Sequence, residues 1–171
     1  VEIDPQIAKI YQDHFPNDKV IIADAHKYLE EHFSEYDFIW SSPPCPSHSR
    51  IRKFTNGGRF KEIYPDMRLY QEIIFLQHTF KRKWVVENVA PYYKPLIPAQ
   101  KSGRHYFWSN FTISDIKMPT EIPMTGHTKQ LISKNKYWEG QKINKLLIRN
   151  AVNPELGKHI LDCALNPNTL L

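Results

Sequence analysis

Cys45 sits in the run Ser41-Ser42-Pro43-Pro44-Cys45-Pro46-Ser47-His48-Ser49, with prolines on both sides. Proline fixes its own φ and restricts the residue before it, so the thiol is carried on a stiff turn. The thiolate is the reactive form of cysteine, and a strand-end turn facing a helix N-terminus or arginines favours it. That setting suits a nucleophile; the plainer alternative is an inert buried cysteine. Cys163, spaced helically among Ile160, Leu161 and Leu165, reads as core. Glu87 follows the apolar Trp84-Val85-Val86. A carboxyl at the end of a buried strand is partly desolvated, which favours the protonated form and lets it donate a proton or a hydrogen bond. An ion pair with Lys or Arg is the alternative. A thiol and a carboxyl on neighbouring strand ends make a nucleophile and acid pair. Cys45 and His48 have C-x-x-H spacing, but no second ligand pair follows at a familiar interval, so no metal is expected.

The elements that must position these residues alternate. Asp4-Pro5 supplies an N-cap and a first-turn proline, and Ile7, Ile10, Tyr11 and Phe15 repeat at helical period before Pro16 breaks it. A second short helix carries Tyr28, Leu29 and Phe33. Strands are expected over 1–3, 20–23, 36–42, 84–87 and 105–110, and a helix over 65–83 with Met67, Tyr70, Ile73, Ile74 and Gln77 on one side. Two helical pieces around Pro154 close the chain, and 118–141 has no strong period. The segment 43–64 is polar and basic, and loops of that length are usually functional. The pattern predicts an α/β fold: one domain over 1–171 built on a mostly parallel open sheet, helices on both faces, ligands at the carboxyl ends of its strands. Glu2, Asp4, Asp24, Cys45 and Glu87 all fall at such ends.

The chain has 171 residues, enough to bury a core without disulfide staples, and its two cysteines make no disulfide framework. Its net charge of +5 favours a polyanionic partner. No apolar run approaches a membrane span and no signal peptide is visible, so a cytoplasmic, reducing compartment is expected. The chain opens at Val1 inside what reads as a strand, as a trimmed or split chain would.

Pro44-Cys45-Pro46 with a serine-containing loop, followed by Glu87-Asn88-Val89, resembles the DNA (cytosine-5) methyltransferase family in both order and spacing. Val1-Glu2-Ile3-Asp4-Pro5 is similar to that family's acidic strand end, which binds the ribose of S-adenosylmethionine. Ala23-Asp24-Ala25 matches its adenine-contacting aspartate. Gly103-Arg104-His105-Tyr106-Phe107-Trp108 resembles its arginine-containing strand, and Arg149-Asn150-Ala151-Val152-Asn153-Pro154 its last motif, which packs against the cofactor. The resemblance implies a Rossmann-like, S-adenosylmethionine-dependent fold and a DNA methyltransferase of restriction-modification or phage setting, in a bacterial or phage-infected cell.

By that resemblance Cys45 attacks C6 of a cytosine flipped from the duplex, Glu87 holds the protonated N3 edge, and Arg104 and His105 complete the catalytic group. Glu2, Ile3, Asp24, Ala25, Pro44, Asn150 and Ala151 would face S-adenosylmethionine, and S-adenosylhomocysteine would be the product. Ser47, Ser49, Arg50, Arg52, Lys53 and Arg59 would meet double-stranded DNA as the loop closes over the extruded base. The sequence departs from the family in three places. The glycine-rich first motif is absent and would come from a second chain or segment. His105 stands where a second arginine is usual. The target-recognition region is reduced to about 112–141, with His127, Lys129, Lys134 and Lys136 in its basic part. Two alternatives follow: a catalytically incomplete nucleic-acid-binding or partner subunit of a split methyltransferase, and an RNA cytosine-5 methyltransferase.

Overall fold

The computed structural model describes residues 1–50, 61–102, 105–116 and 152–166. The chain divides into two compact units, Val1–Phe111 and Thr112–Leu171. In the first, α1 (Pro5–His14) starts as the sequence predicts: an Asp4 carboxylate oxygen accepts the Gln6 and Ile7 N–H groups, and Pro5 occupies the first turn. Asp24 caps α2 (Ala25–His32) in the same way, accepting from His26 and Lys27. A 3₁₀ turn, Phe33–Glu35, then leads into β1 (Phe38–Ser41).

The next element, α3 (Arg68–Thr79), has Met67 at its N-cap with no side-chain bond. A missing cap costs about 0.5–2 kcal/mol. Full burial of a single leucine or isoleucine contributes about 1.5–3 kcal/mol, and α3 buries Leu69, Ile73 and Leu76, so packing decides this helix. Its buried stripe is Leu69, Tyr70, Ile73 and Leu76; Met67 and Ile74, expected on that stripe, are about half exposed, since the true face is rotated from the one the spacing suggests.

Four strands form the sheet, adding β2 (Lys83–Val89), β3 (Gln100–Ser102) and β4 (His105–Ser109), in the order β1-β2-β4-β3. The expected mostly parallel sheet is corrected here: β1 and β2 pair parallel, whereas β2 with β4 and β3 with β4 pair antiparallel. The cause is the connections. α3 provides the crossover that a parallel pair requires, while no helix of the described residues lies between β2 and β4 and the chain simply doubles back. The predicted strands over 1–3 and 20–23 form only an isolated parallel bridge between Glu2 and Ile22, outside the sheet.

Side-chain alternation divides the sheet into two faces. Ile39, Trp84, Val86 and Trp108 face α3 and close the core with its buried stripe and Phe80. The pairing places Trp40, Val85, Glu87, Phe107 and His105 on the other face. In the second unit, α4 (Pro154–Leu165) is capped by Asn153 and buries Leu156, Ile160, Cys163 and Ala164, the core placement expected of Cys163. Among the described residues no helix is long and apolar enough to cross a membrane.

Candidate active site

Ser41, the last residue of β1, pairs with Val86 in parallel register, and β2 runs on to Val89, so Glu87 lies inside the strand and not at its end as expected. Chain leaving β1 turns through Pro43-Pro44-Cys45-Pro46 beside this extension of β2 past β1, which carries Glu87. Asn88 ties the two together. Its side chain is 2% exposed, its Nδ2 donates to the Pro43 carbonyl at 2.9 Å, and its Oδ1 accepts from the Val89 N–H at 3.0 Å.

Cys45 is half-buried and in no disulfide. Its carbonyl accepts the N–H groups of both His48 (3.0 Å) and Ser49 (3.1 Å), which closes the turn on itself. The turn is then fastened to the chain beyond β2: the Tyr92 N–H donates to the His48 carbonyl at 3.1 Å, Ser49 bridges Pro91, and Arg50 Nε donates to the Pro91 carbonyl at 3.1 Å. On its other side Ser47 Oγ accepts the Asp66 N–H at 3.0 Å. The Arg68 guanidinium beside Asp66 holds that carboxyl below its usual range.

Glu87 is buried and meets His105, whose Nδ1 lies 2.5 Å from Glu87 Oε1. The register explains the contact. Glu87 is opposite Phe107 and His105 opposite Val89, so Glu87 and His105 are diagonal neighbours on one face of an antiparallel pair. Phe107, fully buried between them, stacks edge-on against Trp40 at 6.2 Å and walls that face.

The first candidate cofactor residues lie on the isolated bridge. Glu2 N–H donates to the Ile21 carbonyl and Ala23 N–H to the Glu2 carbonyl, so Glu2 and Asp24 end two adjacent extended segments. Glu2 Oε1 accepts the Asp4 N–H at 2.9 Å, and one Asp24 oxygen caps α2. The second oxygen of each carboxylate accepts no hydrogen bond among the described residues. Two such acceptors at strand ends fit the hydroxyls of a ribose and the amino group of an adenine. Ile3 and Ala25 are exposed beside them, and Pro44 is exposed on the Cys45 turn.

Other expected residues fall differently. Ser47 is buried, with its hydroxyl taken by Asp66, so it presents no surface to a nucleic acid; Ser49 is half-buried and Arg50 exposed. Arg52, Lys53, Arg59, Arg104, Asn150 and Ala151 lie outside the described residues, as does the basic segment over 125–138. No group of three or more His, Cys, Asp or Glu among the described residues is placed to hold a metal.

Three polar residues with no role assigned from sequence organise the site. One is Asn88. The second is Glu72, buried in α3, with Oε1 3.0 Å from His26 Nδ1 and Oε2 accepting from Ser41 Oγ at 2.6 Å; it links the helix after Asp24 to the strand before Cys45. Its signal was a carboxylate on an otherwise apolar helix stripe. The third is Tyr93, the partner of His48, which left no local signal.

A family model for C-5 cytosine-specific DNA methylase matches residues 1–95, more than half of the chain. This chain belongs to that family. The matched stretch of the methylase family contains Glu2, Asp24, Cys45 and Glu87, the four residues whose placement is described above, and ends before His105. No curated protein and no solved structure matches the chain. For a methylase of this family, the structure supplies a thiol on the turn after β1, a carboxyl on the neighbouring β2, and two carboxylates beside an isolated bridge.

Proposed function

We propose that this chain methylates C5 of cytosine in double-stranded DNA, with its sheet as the Rossmann-like core of the enzyme. The observation that carries the reading is the Asn88 bond to Pro43: it ties the Cys45 turn to β2 at the residue after Glu87. S-adenosylmethionine, when bound, supplies an electrophilic methyl group on a sulfonium. Glu2 and Asp24 are the residues that would hold its ribose and adenine.

Aromatic C5 is a poor nucleophile, and the protein's task is to change that. The Cys45 thiolate adds to C6 while Glu87 delivers a proton to N3, so the electron pair of the 5,6 double bond becomes an enamine with C5 as its nucleophilic end. C5 would then be the atom to which the bound cofactor offers its methyl group, with S-adenosylhomocysteine as the product. Loss of the C5 proton to a base re-forms the double bond and expels Cys45 as thiolate, and the N3 proton returns to the Glu87 carboxylate. His105, in contact with Glu87, orients its carboxyl, leaving the other oxygen for the base edge. A duplex base must be extruded to reach a thiol on this turn, and the basic segment from Arg50 to Lys61 has the charge to hold phosphates as it leaves the stack.

The test is covalent trapping of the full chain on duplex DNA carrying 5-fluorocytosine, with S-adenosylmethionine, read by denaturing gel and intact mass. Fluorine at C5 blocks the last elimination. A protein–DNA adduct is expected, and it should vanish in Cys45→Ala. An adduct on the matching RNA and none on DNA would move the activity to RNA. Binding to DNA without any adduct would make the chain a partner subunit.

A further inference from the structure

His48 is the residue nearest in sequence to Cys45 that is completely enclosed, at 1% exposure. Its Nδ1 lies 2.6 Å from the Tyr93 hydroxyl, and the two rings are 5.9 Å apart. Tyr93 in turn takes a hydrogen bond from the Tyr70 hydroxyl at 3.4 Å, and Tyr70, buried in α3, accepts the Leu96 N–H at 3.2 Å. Leu96 donates to Tyr70 and Tyr70 to Tyr93, which leaves the Tyr93 proton free to continue the order to His48 Nδ1. A chain ordered this way ends on an acceptor, which assigns Nδ1 its lone pair and Nε2 the ring proton.

We propose that His48 is a positioning residue for the nucleophile: kept neutral with its proton on Nε2, it receives the Tyr93 hydroxyl and so latches the Cys45 turn onto the segment beyond β2 and onto α3. The backbone bond from Tyr92 to His48 and the Ser49–Pro91 bridge fasten the same two segments, so the latch adds a side-chain anchor buried behind a backbone seam. Burial pushes the His48 imidazole below its ordinary value, and the Asp66 backbone and carboxylate oppose that shift more weakly. Asp66, itself held as a carboxylate by Arg68, and the two tyrosines are the titratable groups that face it; burial raises Tyr93 above the ordinary tyrosine range, so both of its neighbours see a neutral phenol. With the ring proton on Nε2, a second proton would go to Nδ1 and displace the hydrogen bond from Tyr93, and that is the event that opens the latch.

The consequence for methyl transfer rests on the function proposed above, so the experiment has one arm that needs no activity. In the full chain with ¹⁵N-labelled imidazoles, His48, assigned by its loss in His48→Leu, should show the Nε2–H tautomer and take up its second proton only below the ordinary value of 6.5. Tyr93→Phe should abolish that single-tautomer signature and change the rate at which iodoacetamide alkylates Cys45, read by peptide mass. In the activity arm, Tyr93→Phe and His48→Leu should each lower kcat about ten- to a hundredfold with KM for DNA unchanged, since displaced reacting groups lose rate, not binding. The double variant should be no worse than either single one, and His48→Asn, whose amide oxygen can accept from Tyr93, should recover part of the loss. An ordinary His48 titration in the unaltered chain overturns the latch, whatever the activity; so does Tyr93→Phe that leaves both the tautomer and Cys45 alkylation untouched. A latch present by NMR in a chain that methylates nothing would instead remove the function proposed above and leave the latch standing.

Discussion

The Cys45 turn and the Glu2–Asp24 pair are built from the same device, an extended segment running into a sharply marked turn, yet they are held in opposite ways. The Cys45 turn is fixed by residues far away in the chain: Asn88 on Pro43, Tyr92 and Tyr93 on His48, Pro91 on Ser49 and Arg50, Asp66 on Ser47. Glu2 and Asp24 are held by their own neighbours, through caps two or three residues long and one isolated bridge, with Ile3 66% and Ile22 59% exposed. Among the described residues, Glu72 alone hydrogen-bonds to both regions, through His26 and Ser41. The lesson is that the half of the site carrying the proposed nucleophile and acid is assembled by tertiary structure, whereas the half suited to a nucleoside is shaped locally and gains little from the core.

Perturbations should therefore hurt the first region much more than the second. Glu87→Gln keeps the shape of the buried carboxyl but removes its proton chemistry; methyl transfer should fall about 10²–10⁴-fold, measured as kcat on duplex DNA. Asn88→Ala leaves the Pro43 carbonyl without its buried donor and should lose about 1–3 kcal/mol in urea unfolding. The pH effect is smaller. Because the folded His48 has a lowered pKa, the unfolded chain binds more protons as pH drops below 6.5, so stability should fall with acidification from that point, by at most about 1.4 kcal/mol per pH unit. Asp66 has the same sign but acts nearer its own ordinary value of 3.8, so the difference in urea midpoints between the unaltered chain and His48→Leu over pH 5 to 7 isolates this histidine. Ile22→Thr, on the exposed bridge, should change stability by no more than about 0.5 kcal/mol. A large loss there would erase the contrast between the regions.

Much of this contrast follows sequence separation. Asp4-Pro5, Asp24 and Asn153-Pro154 are cap signals within one turn of what they stabilise, and all three helices start where those residues say. Cys45 and Glu87 were legible because an apolar run and the residues that follow it are a local pattern, and the family match spans both. The sheet order was not legible. Antiparallel pairing of β4 to β2 depends on how the chain returns between them, and β3 is three residues of mixed polarity with no period to read. The stripe of α3 was misread because Ile74 and Met67 are apolar yet face out, while the polar Glu72 faces in to reach Ser41 and His26. His48 with Tyr93, and Asn88 with Pro43, each join positions 45 apart, and no window of local sequence contains both partners.

The diagonal between Glu87 and His105 makes β4 a gauge of its own alignment. Side chains alternate between faces, so a slip of β4 by one residue would carry His105 to the α3 side and bring Tyr106 or its neighbour toward the carboxyl, while most backbone bonds of the sheet re-formed one step along. Such a molecule would keep its strands and its overall secondary structure and lose its reaction centre. Misaligned chains of this protein would thus be invisible to circular dichroism and conspicuous to an activity titration, and the fraction of sites that react would count correctly folded molecules.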